Sequence, residues 1–234
     1  MIFYYLLVAI IVYYFWKRPT RKFKLPKNCD HKAYAIVTGA SEGIGKQFAI
    51  QLAKRGYGLI LLSRNKAKLD AVAAEISTET HVLSIDFSDP KVFEPTNPTF
   101  QQLETLLKDK EISILVNNVA VSHDLPTPFV EESSALIQTI VQVNITSVML
   151  LTKLVLPMMK SAKNGLVLNM GSFSGMAPAP LLSVYGASKA FLKSWSIALA
   201  AEVETSGIHV EHLNTYFVAT GKSILFPWSN SLPG

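Results

Sequence analysis

Short apolar runs and helix-periodic segments alternate along most of this chain. The runs fall at residues 34–38, 58–63, 81–86, 112–117, 165–171 and 208–214. They are rich in Ile, Leu and Val and mostly continuous rather than alternating, which is the pattern of strands covered on both faces. Between them, residues 43–54, 66–76, 100–108, 133–159 and 184–205 place apolar side chains at helical spacing. This alternation predicts an α/β fold, a doubly wound parallel sheet with helices on both faces. The proline-bearing stretch 90–98 predicts a surface loop.

The first 32 residues stand outside that pattern. Residues 2–16 form an unbroken apolar run. As a helix it would be roughly 22 Å long, against a hydrocarbon core of about 30 Å. Tyr4 and Tyr5 at one end, and Tyr13, Tyr14 and Trp16 at the other, suit the two interfaces. Lys17, Arg18, Arg21, Lys22, Lys24 and Lys27 follow, with no acid before Asp30. Positive charge there predicts a lumenal N-terminus and a cytosolic remainder. A cleaved signal would need a charged start and a small-residue cleavage site, and neither is present. The expected organisation is an anchor at 1–16, a basic linker at 17–32, a domain at 33–220 and a divergent tail at 221–234. An interfacial or re-entrant segment is the alternative to a full span.

Composition adds limits. The chain has 234 residues, 49% hydrophobic and 17% charged, which suits one well-buried domain and excludes disorder. The formal charge of +5 comes from the basic cluster, so it points to a membrane surface rather than nucleic acid. Cys29 is the only cysteine, so no internal disulfide can form. The histidines are scattered, and no metal site is expected.

Thr38-Gly39-Ala40-Ser41-Glu42-Gly43-Ile44-Gly45 leaves the first strand and opens the first helix. Gly39 permits a tight turn, Gly43 a close approach to a pyrophosphate, and Gly45 close helix–strand packing. The helix N-terminus adds free N–H groups for an anion. The second strand ends in Ser63-Arg64 rather than an acid. A cation there pairs with a 2′-phosphate, so NADPH is expected over NADH.

Tyr185 and Lys189 sit at i and i+4 on one helix face, and Ser172 ends a strand. A lysine ammonium is expected to lower the tyrosine pKa, and the serine hydroxyl to polarise a carbonyl. Such a trio can reduce a ketone, with Tyr185 as proton donor.

The segment from Thr38 to Gly45, the run Asn117-Asn118-Val119-Ala120, Asn144, Ser172 and the Tyr185/Lys189 pair together resemble the short-chain dehydrogenase/reductases over about residues 33–220. The resemblance implies a Rossmann fold with chemistry at Ser172, Tyr185 and Lys189. It implies that Asn144 helps hold a proton-relay water. Gly39, Ser41, Gly43, Ile44 and Gly45 would form the cofactor turn, with Arg64, Asp86 and Asn118 on the adenosine side. Val218 and Thr220 would touch the nicotinamide end, and Tyr185 and Lys189 would also meet the cofactor. Residues 115–131 and 169–199 look most similar to the fungal very-long-chain 3-oxoacyl-CoA reductases of the endoplasmic reticulum. That likeness implies NADPH-dependent reduction of long-chain 3-oxoacyl-CoA in fatty-acid elongation, at that membrane and facing the cytosol. It also implies contact with other elongation enzymes and a homodimer. Related membrane reductases act on steroids at the 17 position, which leaves an alternative substrate.

Three positions depart from the family. Ala120 replaces a glycine, Thr215-Tyr216 replaces a Pro-Gly, and the chain stops at Gly234 where the family continues with a last strand and substrate-covering helices. An active reductase and a truncated form that only binds cofactor or elongation partners are therefore both expected classes. Asn144-Ile145-Thr146 fits a glycosylation sequon but is expected in the cytosol. Met158, Met159, Met170 and Met176 are expected to be packing residues, and Trp195 a core or subunit-contact residue. His123 and Asp124 lie where they could approach the mouth of the site.

Overall fold

Six strands form one parallel sheet in the order β3-β2-β1-β4-β5-β6. The computed structural model describes residues 33–215. The anchor, the linker, Val218, Thr220 and the tail lie outside the described residues. The strands are β1 (Ala33–Thr38), β2 (Gly58–Ser63), β3 (Thr80–Ser84), β4 (Glu111–Asn117), β5 (Gly165–Met170) and β6 (Ile208–Leu213). All six predicted runs are strands, within two residues at each end. The four inner strands are buried along almost their whole length. β3 and β6 are only partly buried, because each pairs on one side only among the described residues.

The helices are α1 (Gly43–Ala53), α2 (Lys66–Ala74), α3 (Pro98–Leu107), α4 (Ser134–Val141), α5 (Ser147–Ala162) and α6 (Ser183–Val203). On one face, α1 and α2 bury Ala49, Leu52, Leu69 and Val72 against Ala35, Val37, Leu59 and Leu61. On the other, α3, α5 and α6 bury Leu103, Leu107, Val155, Met159, Leu199 and Val203 against Ile36, Ile60, Leu115 and Val167. Among the described residues, the first face is covered unevenly. Beside α1, Ile114, Val116, Leu166, Leu168 and Met170 floor an apolar groove of about 670 Å³.

Two helix boundaries differ instructively from the periodicity. α3 starts at Pro98, because Asn97 Oδ1 accepts from the N–H groups of Thr99 and Phe100, and proline suits the first helical position. The predicted single helix 133–159 is two α-helices joined by a π turn at Gln142–Thr146. Such turns insert one extra residue and recur at functional sites. Here the turn carries Asn144.

Candidate active site

The glycine-rich turn is built around three backbone demands. Gly39 and Gly43 have φ of 63° and 59°, a region that β-carbons disfavour. A Cβ on Gly45 would lie 2.2 Å from the Gly39 carbonyl oxygen, so α1 can sit this close to β1 only with glycine there. Thr38 Oγ1 accepts from the N–H groups of Asn118 and Val119, and the Asn118 amide donates to the carbonyls of Thr38 and Gly39. The ends of β1 and β4 are thereby locked together. α1 has no side-chain cap hydrogen bond, so the positive end of its dipole faces the turn, beside the Glu42 carboxylate, which pairs with Lys68.

A cavity of about 210 Å³ opens in front of this turn. Gly39, Ser41, Gly43, Ile44, Arg64, Asp86 and Asn118 line it. Ser63 Oγ donates to Ser41 Oγ at 3.1 Å, which ties the turn to the end of β2. Asp86 Oδ1 accepts from Ser88 N–H and Oγ. Seven of the sequence-predicted cofactor residues therefore line one cavity, with Gly45 just behind the wall, whereas Tyr185 and Lys189 do not line it.

Beside this cavity, Ser172, Tyr185 and Lys189 come together at the C-terminal end of the sheet. α6 carries Tyr185 and Lys189 one turn apart, with the lysine Nζ 5.6 Å from the tyrosine ring centre. Lys189 is buried and donates to the Met170 carbonyl at 2.8 Å. Burial draws its pKa from 10.5 down to about 8. Burial also pushes the Tyr185 hydroxyl up, and a hydrogen bond with Ser172 opposes that rise. The expected net lowering of Tyr185 is not what this arrangement gives: desolvation outweighs the groups that favour the phenolate, among which the Ser172 hydrogen bond opposes the rise. Ser172 Oγ also lies 2.9 Å from Ser174 Oγ.

Asn144 is fully buried. Its Oδ1 accepts from Val121 N–H, and its Nδ2 donates to Val121 O and to Ser188 Oγ. Ser188 Oγ donates in turn to the Tyr185 carbonyl. Asn144 thus connects the strand-end loop to the helix that carries the tyrosine. Its burial also removes it as a glycosylation acceptor.

A buried polar seam that the motifs do not announce supports these residues. Asn117 Nδ2 donates to Thr152 Oγ1 and Asn169 Oδ1, and Asn169 Nδ2 donates to Ser196 Oγ. This buried seam ties β4 and β5 to α5 and α6 and fixes the height of α6. Two asparagines in apolar strands were the available clue. His123 Nδ1 meets a Glu132 carboxylate oxygen, with both side chains buried. Met159 and Met170 are core residues as expected, but Met176 is exposed, because it lies on the open segment after Ser172. Trp195 packs partly buried against the core and stacks on Phe191.

The family model for short chain dehydrogenases matches residues 33–224. The chain belongs to this family. Among short chain dehydrogenases, a very-long-chain 3-oxoacyl-CoA reductase of Coccidioides immitis is 43% identical over 206 residues, covering 86% of this chain and 58% of its own length. The enzyme of that name from Mycosarcoma maydis is 40% identical over 214 residues, covering 88% and 59%. This short chain dehydrogenase therefore spans less than two thirds of the length of those curated relatives. A solved short-chain dehydrogenase from Sphingobium yanoikuyae, in complex with NADPH, is 32% identical with a TM-score of 0.72, covering 80% of this chain and 72% of that one. A 3-ketoacyl-(acyl-carrier-protein) reductase from Brucella melitensis, complexed with NADH, is 29% identical with a TM-score of 0.73, covering 82% and 78%.

Proposed function

We propose that this chain is an NADPH-dependent reductase that converts long-chain 3-oxoacyl-CoA to 3-hydroxyacyl-CoA during fatty-acid elongation. The observation that carries the reading is the meeting of Ser172, Tyr185 and Lys189 beside a glycine-lined cavity in a chain 40% or more identical to relatives of that name.

The cavity suits the phosphate end of a dinucleotide: Gly39 and Gly43 line it without side chains, and α1 turns its positive end toward it. Gly39, Ser41, Gly43 and Ile44 would hold the phosphates, and Asp86 and Asn118 the adenosine side, with Gly45 supporting the turn. Arg64 on the cavity wall favours the 2′-phosphate of NADPH. NADPH, when bound, supplies the hydride that reduces the 3-oxo carbon. Ser172 donates a hydrogen bond to the substrate carbonyl, and Tyr185 gives its hydroxyl proton to the same oxygen. Lys189 offsets the charge left on Tyr185, which solvent then reprotonates. Asn144, bonded to Val121 and Ser188, positions this group and the path for the returning proton. In this reading residues 1–16 anchor the enzyme in the endoplasmic reticulum membrane, the catalytic domain faces the cytosol, and the enzyme works as a homodimer beside other elongation enzymes. The apolar run and basic cluster support the anchor, and the relatives' names support the substrate.

The test is NADPH oxidation by membranes carrying this chain, with a long-chain 3-oxoacyl-CoA, beside Tyr185→Phe. The expected outcome is turnover that the substitution lowers by about 10³-fold or more. A folded chain that gives no turnover refutes the proposal.

A further inference from the structure

The segment joining β4 to α4, residues 118–133, presents three large apolar side chains to solvent. Leu125 and Phe129 are each 62% exposed and Val130 is 90% exposed. The segment after Ser172 presents three more, Phe173, Met176 and Leu181. The two segments are joined where Thr127 N–H donates to Leu181 O at 3.0 Å. Leu181 has φ of 65°, a strained value for a branched residue that persists only where its surroundings hold it.

Isolated apolar side chains on a loop collapse or fray unless the loop is closed from within. The closure here is polar. His123 Nδ1 meets a Glu132 carboxylate oxygen, with both side chains almost fully buried, at 2% and 7% exposure. The other carboxylate oxygen accepts from Ser133 N–H, and Ser133 Oγ caps α4 by accepting from Leu136 N–H. Two residues before His123, Val121 exchanges its pair of hydrogen bonds with Asn144. The pair therefore joins both ends of the span 123–132 and couples that base to α4 and, through Val121, to Asn144. Removing one member strands a buried charged or polar group, which weakens the loop more than losing a surface contact would.

We propose that His123 and Glu132 are positioning residues for the substrate: the buried pair closes the base of the 123–132 loop and so holds Leu125, Phe129 and Val130 beside Phe173, Met176 and Leu181 as an apolar mouth for an acyl chain. The acyl identity rests on the reductase reading above. A role confined to general stability would affect every substrate alike. A positioning role raises KM in proportion to the apolar tail and leaves kcat nearly unchanged.

The experiment compares kcat and KM for acetoacetyl-CoA and for a long-chain 3-oxoacyl-CoA in the full chain, His123→Ala, Glu132→Gln, and the double variant His123→Gln with Glu132→Gln. The two amides of the double variant can restore a neutral hydrogen bond. The expected result is a long-chain KM raised about tenfold in His123→Ala, an acetoacetyl-CoA KM within about twofold, and partial recovery in the double variant. Equal changes for both substrates, or none, overturn the proposal. If His123→Ala does not fold, Glu132→Gln carries the same comparison. Hydrogen exchange of residues 123–132 separates the two readings. No turnover by the unchanged chain with either thioester refutes the reductase assignment and the acyl mouth with it. Faster exchange confined to the loop in His123→Ala still supports the staple, and unaltered or global exchange overturns it.

Discussion

Lys189, placed at the proposed site, carries a cost to the fold. Its ammonium is buried with a main-chain carbonyl as its hydrogen-bond partner, and its pKa falls to about 8. In the unfolded chain the same group holds its proton up to about 10.4. Between those values the unfolded state binds more protons, so stability rises with pH across that window. Below about 8 both states are charged and the full burial penalty is present. Lys189→Met is therefore expected to stabilise the protein at neutral pH, by at most about 3 kcal/mol, and to flatten the rise between pH 8 and 10. Urea unfolding of both proteins at pH 7 and 10 checks this, and a less stable variant at pH 7 would refute it. The same substitution should abolish reduction. At Arg64 the prediction concerns cofactor choice. Arg64→Ala should raise KM for NADPH about tenfold and leave KM for NADH nearly unchanged, measured by initial rates. The identities of Ser172, Tyr185 and Lys189 were legible because chemistry restricts them to few residue types at fixed spacing. The direction of the Tyr185 shift was not, because burial is a property of the packed state.

At the level of elements, strands and helices were readable because apolar runs and helical periods are local. The interruption between α4 and α5 was not. A π turn adds one residue without changing the apolar character of the segment, so 133–159 reads as one continuous helix. The uneven cover of the sheet was equally silent, since Leu166 and Leu168 look the same whether a helix lies over them or not. The contact between α1 and β1 gives a sharp prediction. A methyl group at residue 45 meets the Gly39 carbonyl, so Gly45→Ala must push α1 outward. The expected loss is about 2 kcal/mol in unfolding free energy, together with weaker NADPH binding, read by thermal unfolding with and without the nucleotide. An unchanged melting temperature would show that the turn yields without cost. Gly39 and Gly43 both have a left-handed backbone; the spacing announced the tight turn at Gly39, but at Gly43 it announced only a close approach to phosphate.

For the whole molecule, the parallel sheet with helices on two faces followed from alternation alone. The placement of β4 against β1 came from the family resemblance and its Rossmann order rather than from periodicity, because nothing local states which strand turns back past the first. The proposed anchor sets the vectorial prediction. A tag at the C-terminus should be cleaved by protease added to intact vesicles, and a tag at the N-terminus should be protected. Protection of the C-terminal tag would reverse the orientation.

The same β1–β4 neighbourhood has a consequence in time. Thr38 donates to the carbonyl of Val116, a partner 78 positions later in the chain. At synthesis rates of about 5–20 residues per second, the strand at the centre of the sheet waits roughly 4–16 seconds for the neighbour that completes it. During that wait β1 can pair only with β2, and its other edge stands without a partner. The nascent chain is thus most in need of a chaperone before the residues that later hold the cofactor turn in place have been made.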